Sequence, residues 1–241
     1  MKARVAPAEP ISIADIEARQ EYQEQLAAIE HQALEGLDMV VEALDHAMDA
    51  LVRRDVELAA SVVAGDDRID AHYIASHQAL LALLALQAPV AGDLRLVAAL
   101  LHVIRSVERM GDQCVTIAKM VPLAPAGSPT DALLLKRIEH MAALVRSEVG
   151  QAKRAFAAHA SRLAEELAVH DREVNALNRE IFRRAVEIGD DPRLREWAMR
   201  MALVARCLER VGDNAVDIGE QAAFVVTGRF REFSDASHVT R

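Results

Sequence analysis

The phrase Glu-Arg-x-Gly-Asp occurs twice in this chain, each time within a stretch whose apolar residues recur at helical spacing. The first copy, RSVERMGDQCVTIAK, begins at Arg105, and the second, RCLERVGDNAVDIGE, begins at Arg206. Between 105–120 and 206–221, seven of the sixteen aligned positions are identical, far more than chance gives. The chain therefore contains an internal duplication, and its two halves are expected to fold into similar helical units.

Apolar periodicity predicts six helices in two groups of three, with Asp55 as the N-cap of the second helix. Ala and Leu dominate the sequence and aromatic residues make up only 3% of it, a balance that favours helices over sheets. The stretch PLAPAGSPT holds three of the seven prolines and marks a linker. We predict an all-α protein of two tandem three-helix bundles, 13–121 and 130–228, joined by a linker at 122–129.

Charge and hydropathy exclude several classes of function. The net charge is −9, whereas a nucleic-acid-binding protein usually presents a basic face, so no nucleic-acid partner is expected. Two cysteines, Cys114 and Cys207, in a chain of 241 residues indicate a reducing compartment. The longest apolar run, Ala79–Leu86, is far shorter than the roughly 18 residues of a membrane span. We expect a cytoplasmic protein that is not inserted in a membrane but can dock on a membrane protein.

A glutamate interrupts the apolar seam of the third predicted helix. The seam alternates by three and four residues, as a face toward partner helices does: Leu101, Ile104, Glu108, Gly111, Val115 and Ala118. Glu209 holds the same position in the second copy. A desolvated carboxylate must be paired, protonated or bound to a metal ion. Gly111 and Gly212 each cost about 1 kcal/mol relative to alanine, which predicts a close helix approach or room beside an ion.

Further acids are predicted to face these seams. GDDRID places Asp66 and Asp70 on one face of the second helix, and HDREVN places Asp171 and Asn175 on one face of the fifth. In an antiparallel hairpin about Pro89, the Asp66/Asp70 pair lies about 21 residues before the turn and the Glu108/Asp112 pair about 20 residues after it, hence at nearly the same level at roughly 1.5 Å per residue. Each half therefore brings three or four carboxylates together.

Two interpretations of these acids remain open from the spacing alone. Several negative charges in one place repel one another unless cations share the site, and all-oxygen ligands suit magnesium, calcium, manganese and iron. Alternatively, arginines three residues before the acids form intrahelical ion pairs along the bundle edge. These arginines are Arg105, Arg109, Arg206 and Arg210.

The chain resembles the PhoU family of phosphate-uptake regulators. ERMGDQCVTIAK and ERVGDNAVDIGE are similar to that family's twice-repeated Glu-Arg-x-Gly-Asp-x5-Ala-Glu signature, and GDDRID, RRDVELAASVVAGD and DLRLV are similar to its first repeat. The resemblance covers roughly residues 13–233. It implies two three-helix bundles in one elongated protein, often a homodimer.

The resemblance also implies multinuclear iron or zinc clusters, or magnesium or manganese, held by Glu/Asp-x-x-x-Asp pairs. The matching pairs here are Asp66 with Asp70, Glu108 with Asp112, Asp171 with Asn175, and Glu209 with Asp213. Asp217, which corresponds to Thr116 of the first repeat, extends the second set by one turn. The chain departs from the pattern at Asn175, which removes one charge, and at Lys119, where the signature has glutamate.

The implied function is negative regulation of phosphate uptake and of phosphate-starvation signalling, without catalytic turnover. The expected partners are the ATPase of a phosphate ABC transporter and a membrane sensor histidine kinase. A carboxylate-metal hydrolase and a purely structural helical adaptor are the alternatives. Glu-x-x-His is absent from the sequence, which argues against a di-iron oxidase, and no evident nucleophile or general base supports a hydrolase.

Overall fold

The structure, a computed structural model, describes residues 13–86, 89–124 and 127–233. Within them the chain forms six α-helices and one 3-10 turn, and no strand. The elements are α1 (Ile13–Arg53), α2 (Val56–Leu86), α3 (Gly92–Met120), the 3-10 turn Val121–Leu123, α4 (Ala132–Ala157), α5 (Ser161–Glu187) and α6 (Pro192–Thr227). The predicted all-α class is confirmed. Residues 125 and 126 of the predicted linker lie outside the described residues.

Local side chains explain where several helices begin and end. Asp55, Asp131 and Asp191 precede α2, α4 and α6, and the carboxylate of each accepts a backbone N–H two or three residues further on. Pro192 occupies the first position of α6, where no N–H is needed. Gly228 ends α6 in a left-handed conformation, with φ at 68°. The capping role predicted for Asp55 is confirmed.

The two halves pack against each other through two antiparallel helix pairs. In α3 and α6, Arg95 near the start of α3 donates to the Val225 carbonyl near the end of α6, and Arg200 near the start of α6 donates to the Leu123 carbonyl just after α3. In α1 and α4, ion pairs in opposite chain order join the helices. Helices α2 and α5 each pack on the other two helices of their own half.

Apolar side chains from all six helices form one continuous core, which extends across the contact between the halves. The predicted seam is part of this core: Ile104 and Ala118 in the first half and Ala205 in the second are fully buried. The domain division at 122–129 stays a prediction, because the two halves share this core. No helix within the described residues combines the length and apolar character that a membrane span requires.

Ion pairs between α1 and α4 are expected to contribute little to stability. Asp45 accepts from Arg146 Nε at 2.9 Å, but both side chains are about half exposed, so water and salt screen the pair. Asp45→Asn should lower the free energy of unfolding by less than about 1 kcal/mol. A double-mutant cycle with Arg146→Gln, followed by urea unfolding, measures the coupling. The coupling should vanish in 1 M salt; a coupling that persists there would contradict this account.

Candidate functional site

The first set of acids lies where α2 and α3 approach each other closely. A Cβ on Gly111 would lie 3.0 Å from Ile69 Cδ1 and 3.4 Å from Asp66 Oδ1, so both residues of α2 stand directly against this point of α3. The predicted match in level between the acids of α2 and α3 is therefore confirmed. The predicted close approach at the repeated glycine is also confirmed for Gly111.

The carboxyl groups of the first set influence one another. Burial raises the pKa of Asp66, and the negative charges of Asp70 and Asp112 raise it further. The Lys119 ammonium opposes this increase. The lysine that departs from the family signature thus offsets part of the negative charge of this set.

Glu108 combines an ion pair with an unsatisfied oxygen. Its Oε1 lies 3.0 Å from the Arg105 guanidinium, whereas its Oε2 is buried without a hydrogen-bond partner. Burial raises the pKa of Glu108, Arg105 opposes this, and Asp112 and Asp70 add to it. Arg206 makes the equivalent pair with Glu209 in the second repeat. Intrahelical pairing, one of the two open interpretations, is therefore present at both glutamates.

The second set is more deeply placed than the first. A Cβ on Gly212 would lie 2.9 Å from Glu148 Oε2 and 3.1 Å from Asp171 Oδ1, so two acids meet at this glycine. Asn175 Nδ2 donates to Asp171 Oδ2 at 2.5 Å. The amide that replaces an acid at position 175 therefore holds the Asp171 carboxylate from the next turn of α5.

Glu148 of α4 is a member of this set that the sequence analysis did not identify. It is only 2% exposed, and neither of its carboxylate oxygens has a hydrogen-bond partner. Burial raises the pKa of Glu148 to about 8, with further contributions from Asp171, Asp213 and Glu173. An acid with this pKa is largely protonated at neutral pH unless a cation neutralises it.

The apolar periodicity that identified Glu108 also marks Glu148. Buried residues of α4 alternate by three and four, and the glutamate falls on this stripe: Met141, Val145, Glu148, Ala152 and Ala155. The repeated Glu-Arg-x-Gly-Asp phrase does not extend to α4, so a search limited to the duplication passes over it.

Asp213 and Asp217 are exposed and lie one turn apart on α6, along a groove between the repeats. Although much of Asp217 is exposed, the groove wall partly desolvates its carboxyl group and raises its pKa, and Arg109 and His102 of α3 oppose this. Asp217 therefore faces the first repeat. Asp213, in contrast, raises the pKa of Glu148 within its own repeat.

The nine predicted ligands thus lie on neighbouring helix faces. Within 13–86, 89–124 and 127–233, no three His, Cys, Asp or Glu side chains are placed to hold a metal ion together. One set lies against Gly111 and the other against Gly212. Clustered carboxylates of this kind attract cations electrostatically.

The PhoU domain family model matches this chain twice, at residues 34–121 and 138–222. The phosphate-specific transport system accessory protein PhoU homolog of Caulobacter vibrioides is 34% identical over 180 residues, which cover 74% of this chain and 78% of that protein. The crystal structure of PhoU from Pseudomonas aeruginosa matches with a TM-score of 0.76 and 26% identity, over 86% of this chain and 100% of the other. The phosphate transport system regulatory protein PhoU from Streptococcus pneumoniae has the same fold, with a TM-score of 0.81 and 24% identity over 87% and 99% of the two chains.

Proposed function

Because the chain belongs to the PhoU family, we propose that it is an accessory protein of phosphate transport that restrains phosphate uptake and phosphate-starvation signalling. The observation that carries this proposal is the family match to both halves, which contain both copies of the acidic motif. The Caulobacter vibrioides relative is named as an accessory protein of the phosphate-specific transport system. The chain acts by binding other proteins and not by catalysing a reaction.

The partners that this function requires are the ATPase of a phosphate ABC transporter and a membrane sensor histidine kinase. Both have domains on the cytoplasmic side of the membrane, where the regulator meets them as a homodimer. The open groove between the repeats, about 1100 Å³ in volume, supports binding to a protein segment. Charged residues on both of its walls favour recognition through electrostatic complementarity.

Carboxylate-bound metal ions are the second part of the proposal. Asp66, Asp70, Glu108 and Asp112 would hold one group, and Asp171, Asn175, Glu209, Asp213 and Asp217 the other, with Glu148 beside it. The fit rests on carboxylates that raise each other's pKa and on the buried oxygens of Glu108 and Glu148 that have no hydrogen-bond partner. Bound iron, zinc, manganese or magnesium would supply the positive charge that stabilises these acids in the ionised state.

A deletion strain with a phosphate-starvation reporter tests the regulatory function. Loss of the gene should raise reporter expression in phosphate-rich medium, and a plasmid copy of the wild-type gene should restore repression. The ATPase should co-purify with the restored protein. A reporter that stays fully repressed in the deletion strain, grown in rich phosphate, would refute the regulatory proposal.

Elemental analysis tests the metal proposal independently. Protein purified without a histidine tag, from cells grown with ample iron and manganese, should contain at least one equivalent of metal. Asp66→Ala removes a ligand from the first set, which is the more exposed of the two. It should lower the metal content by at least half. Glu57→Ala, which removes an exposed acid from the first turn of the same helix, is the matched control and should leave the content unchanged. Metal far below one equivalent in the wild-type protein would refute the proposal.

A further inference from the structure

The groove between the repeats has walls of opposite charge. The α3 wall carries basic side chains that lie three and four residues apart: His102, Arg105 and Arg109. The α6 wall carries acids at similar spacing: Asp213, Asp217 and Glu220. A groove of about 1100 Å³ with this polarity suits a polypeptide segment that bears both signs of charge.

The chain's own C-terminal segment already occupies one end of this groove. After Gly228 the backbone leaves α6 without forming further helix, and Phe233 N–H donates to Glu220 Oε1 at 2.6 Å. The Phe233 ring is half-buried against the core, and its Cε2 lies 3.5 Å from where a Cβ on Gly219 would be. The ring thus lies at ordinary contact distance from this point of α6, where Leu167 Cδ1 of α5, 2.7 Å from the same Cβ position, is the closer neighbour.

Glu220 shows that this contact is specific. The residue is only 7% exposed, and the Phe233 N–H is the hydrogen-bond donor that satisfies its carboxylate. Burial raises the pKa of Glu220 to about 7, the Phe233 N–H opposes this, and Asp217 and Glu232 add to it. The ionised form of Glu220 is therefore the form that accepts the Phe233 backbone N–H most strongly.

Occupation of the groove by Arg229–Phe233 is partial. Phe230 is 55% exposed, and its ring meets the Phe224 ring edge-on at 6.2 Å between centroids. Asp217 lies one turn before Glu220 on the α6 wall and is influenced by Glu232 of the segment, whereas Asp213 lies a further turn away. A longer segment entering the same groove would therefore extend beyond the contacts that Arg229–Phe233 makes.

We propose that this groove is the docking site for an extended segment of a partner protein, and that Arg229–Phe233 competes with that segment from within the chain. The partner segment carries an aromatic residue that replaces Phe233 beside Gly219 and a backbone N–H for Glu220. Extended peptides are commonly recognised through backbone hydrogen bonds combined with one side-chain pocket. The inference rests on the proposed action through protein partners.

A fluorescent peptide with the sequence Gly-Arg-Phe-Arg-Glu-Phe, that of residues 228–233, serves as the probe. The full-length Phe230→Ala/Phe233→Ala variant, whose internal segment has lost its two aromatic side chains, should bind the peptide at least tenfold more tightly than the wild-type chain. Adding Glu220→Ala, which removes the acceptor for the backbone N–H, should weaken binding at least tenfold. Glu196→Ala, the same change at an exposed position of α6, is the control and should leave binding unchanged.

Hydrogen exchange on the wild-type chain provides a second readout that needs no variant. The Phe233 amide should exchange slowly, and excess unlabelled peptide should accelerate its exchange by displacing the internal segment. Exchange that excess peptide leaves unchanged, or peptide binding that Glu220→Ala does not weaken, would overturn the proposal. Neither assay depends on phosphate signalling, so failure here is distinct from a negative result with the starvation reporter.

Discussion

Glu148→Gln is expected to stabilise the metal-free protein at pH 8 by about 4 kcal/mol. The carboxyl group is 2% exposed and its pKa is raised to about 8. In the unfolded chain this residue ionises at its ordinary pKa of 4.5. Folding at pH 8 therefore requires the residue either to take up a proton or to bury a negative charge, and both cost free energy. A neutral glutamine of nearly the same shape removes this cost.

The pH dependence has a definite sign. Because the pKa is higher in the folded state, the folded protein binds more protons, and its stability falls as pH rises from about 4.5 to about 8. The slope from this one group is about 1.4 kcal/mol per pH unit. Below pH 4.5 both states carry the proton, so the contribution of Glu148 to stability no longer changes with pH.

Urea unfolding at pH 5 and pH 8, in buffer with a chelator, measures this effect. The stability of the variant relative to wild type should increase between these two pH values. Glu165→Gln, an exposed change on α5, is the control and should shift stability by less than about 0.5 kcal/mol at either pH. If Glu148→Gln destabilises the metal-free protein at pH 8, then Glu148 is ionised and stably paired in the native state.

The helices were predictable because their signals are local. Apolar spacing defines each helix within a single stretch, and the Asp55 cap and Pro192 act on backbone groups a few residues away. The match in level between Asp66 and Gly111 also followed from sequence, since a hairpin with a short turn fixes the register of its two helices.

Features that depend on contacts between distant helices were not predictable in this way. The sequence places Asp217 one turn from Asp213, but only the packing of α3 on α6 brings it to Arg109 of the first repeat. Likewise, no spacing within a helix shows that Phe233 returns to Glu220. Glu148 was only partly predictable. Its position on the apolar stripe of α4 was visible in the sequence, whereas its proximity to Asp171 at Gly212 depends on the fold.

The two acidic sets differ in the charged residues that surround them. Lys119 offsets charge in the first set, whereas Glu220, at the corresponding position of the second repeat, is engaged by Phe233. Asn175 removes one charge from the second set, and Glu148 supplies another from α4. The sets should therefore differ in cation affinity even though the motif is duplicated.

Gly111→Ala is expected to lower the free energy of unfolding by about 2 kcal/mol, although alanine is the better helix former by about 1 kcal/mol. The new Cβ would lie 3.0 and 3.1 Å from two carbons of Ile69. Ile69 is β-branched and has few alternative rotamers, so we expect the contact to be relieved by a small shift of α2 away from α3. At roughly 2–4 °C per kcal/mol, the melting temperature should fall by about 4–8 °C.

Gly65→Ala is the matched control, because nothing lies within 4 Å of a Cβ at that position of α2. Here only the helix propensity acts, and the change should stabilise the protein by up to about 1 kcal/mol. Opposite signs at the two glycines would show that close packing of α2 on α3 requires Gly111. If Gly111→Ala stabilises the protein as much as Gly65→Ala does, packing cannot be the reason for the repeated glycine, and room beside a bound ion becomes the remaining explanation.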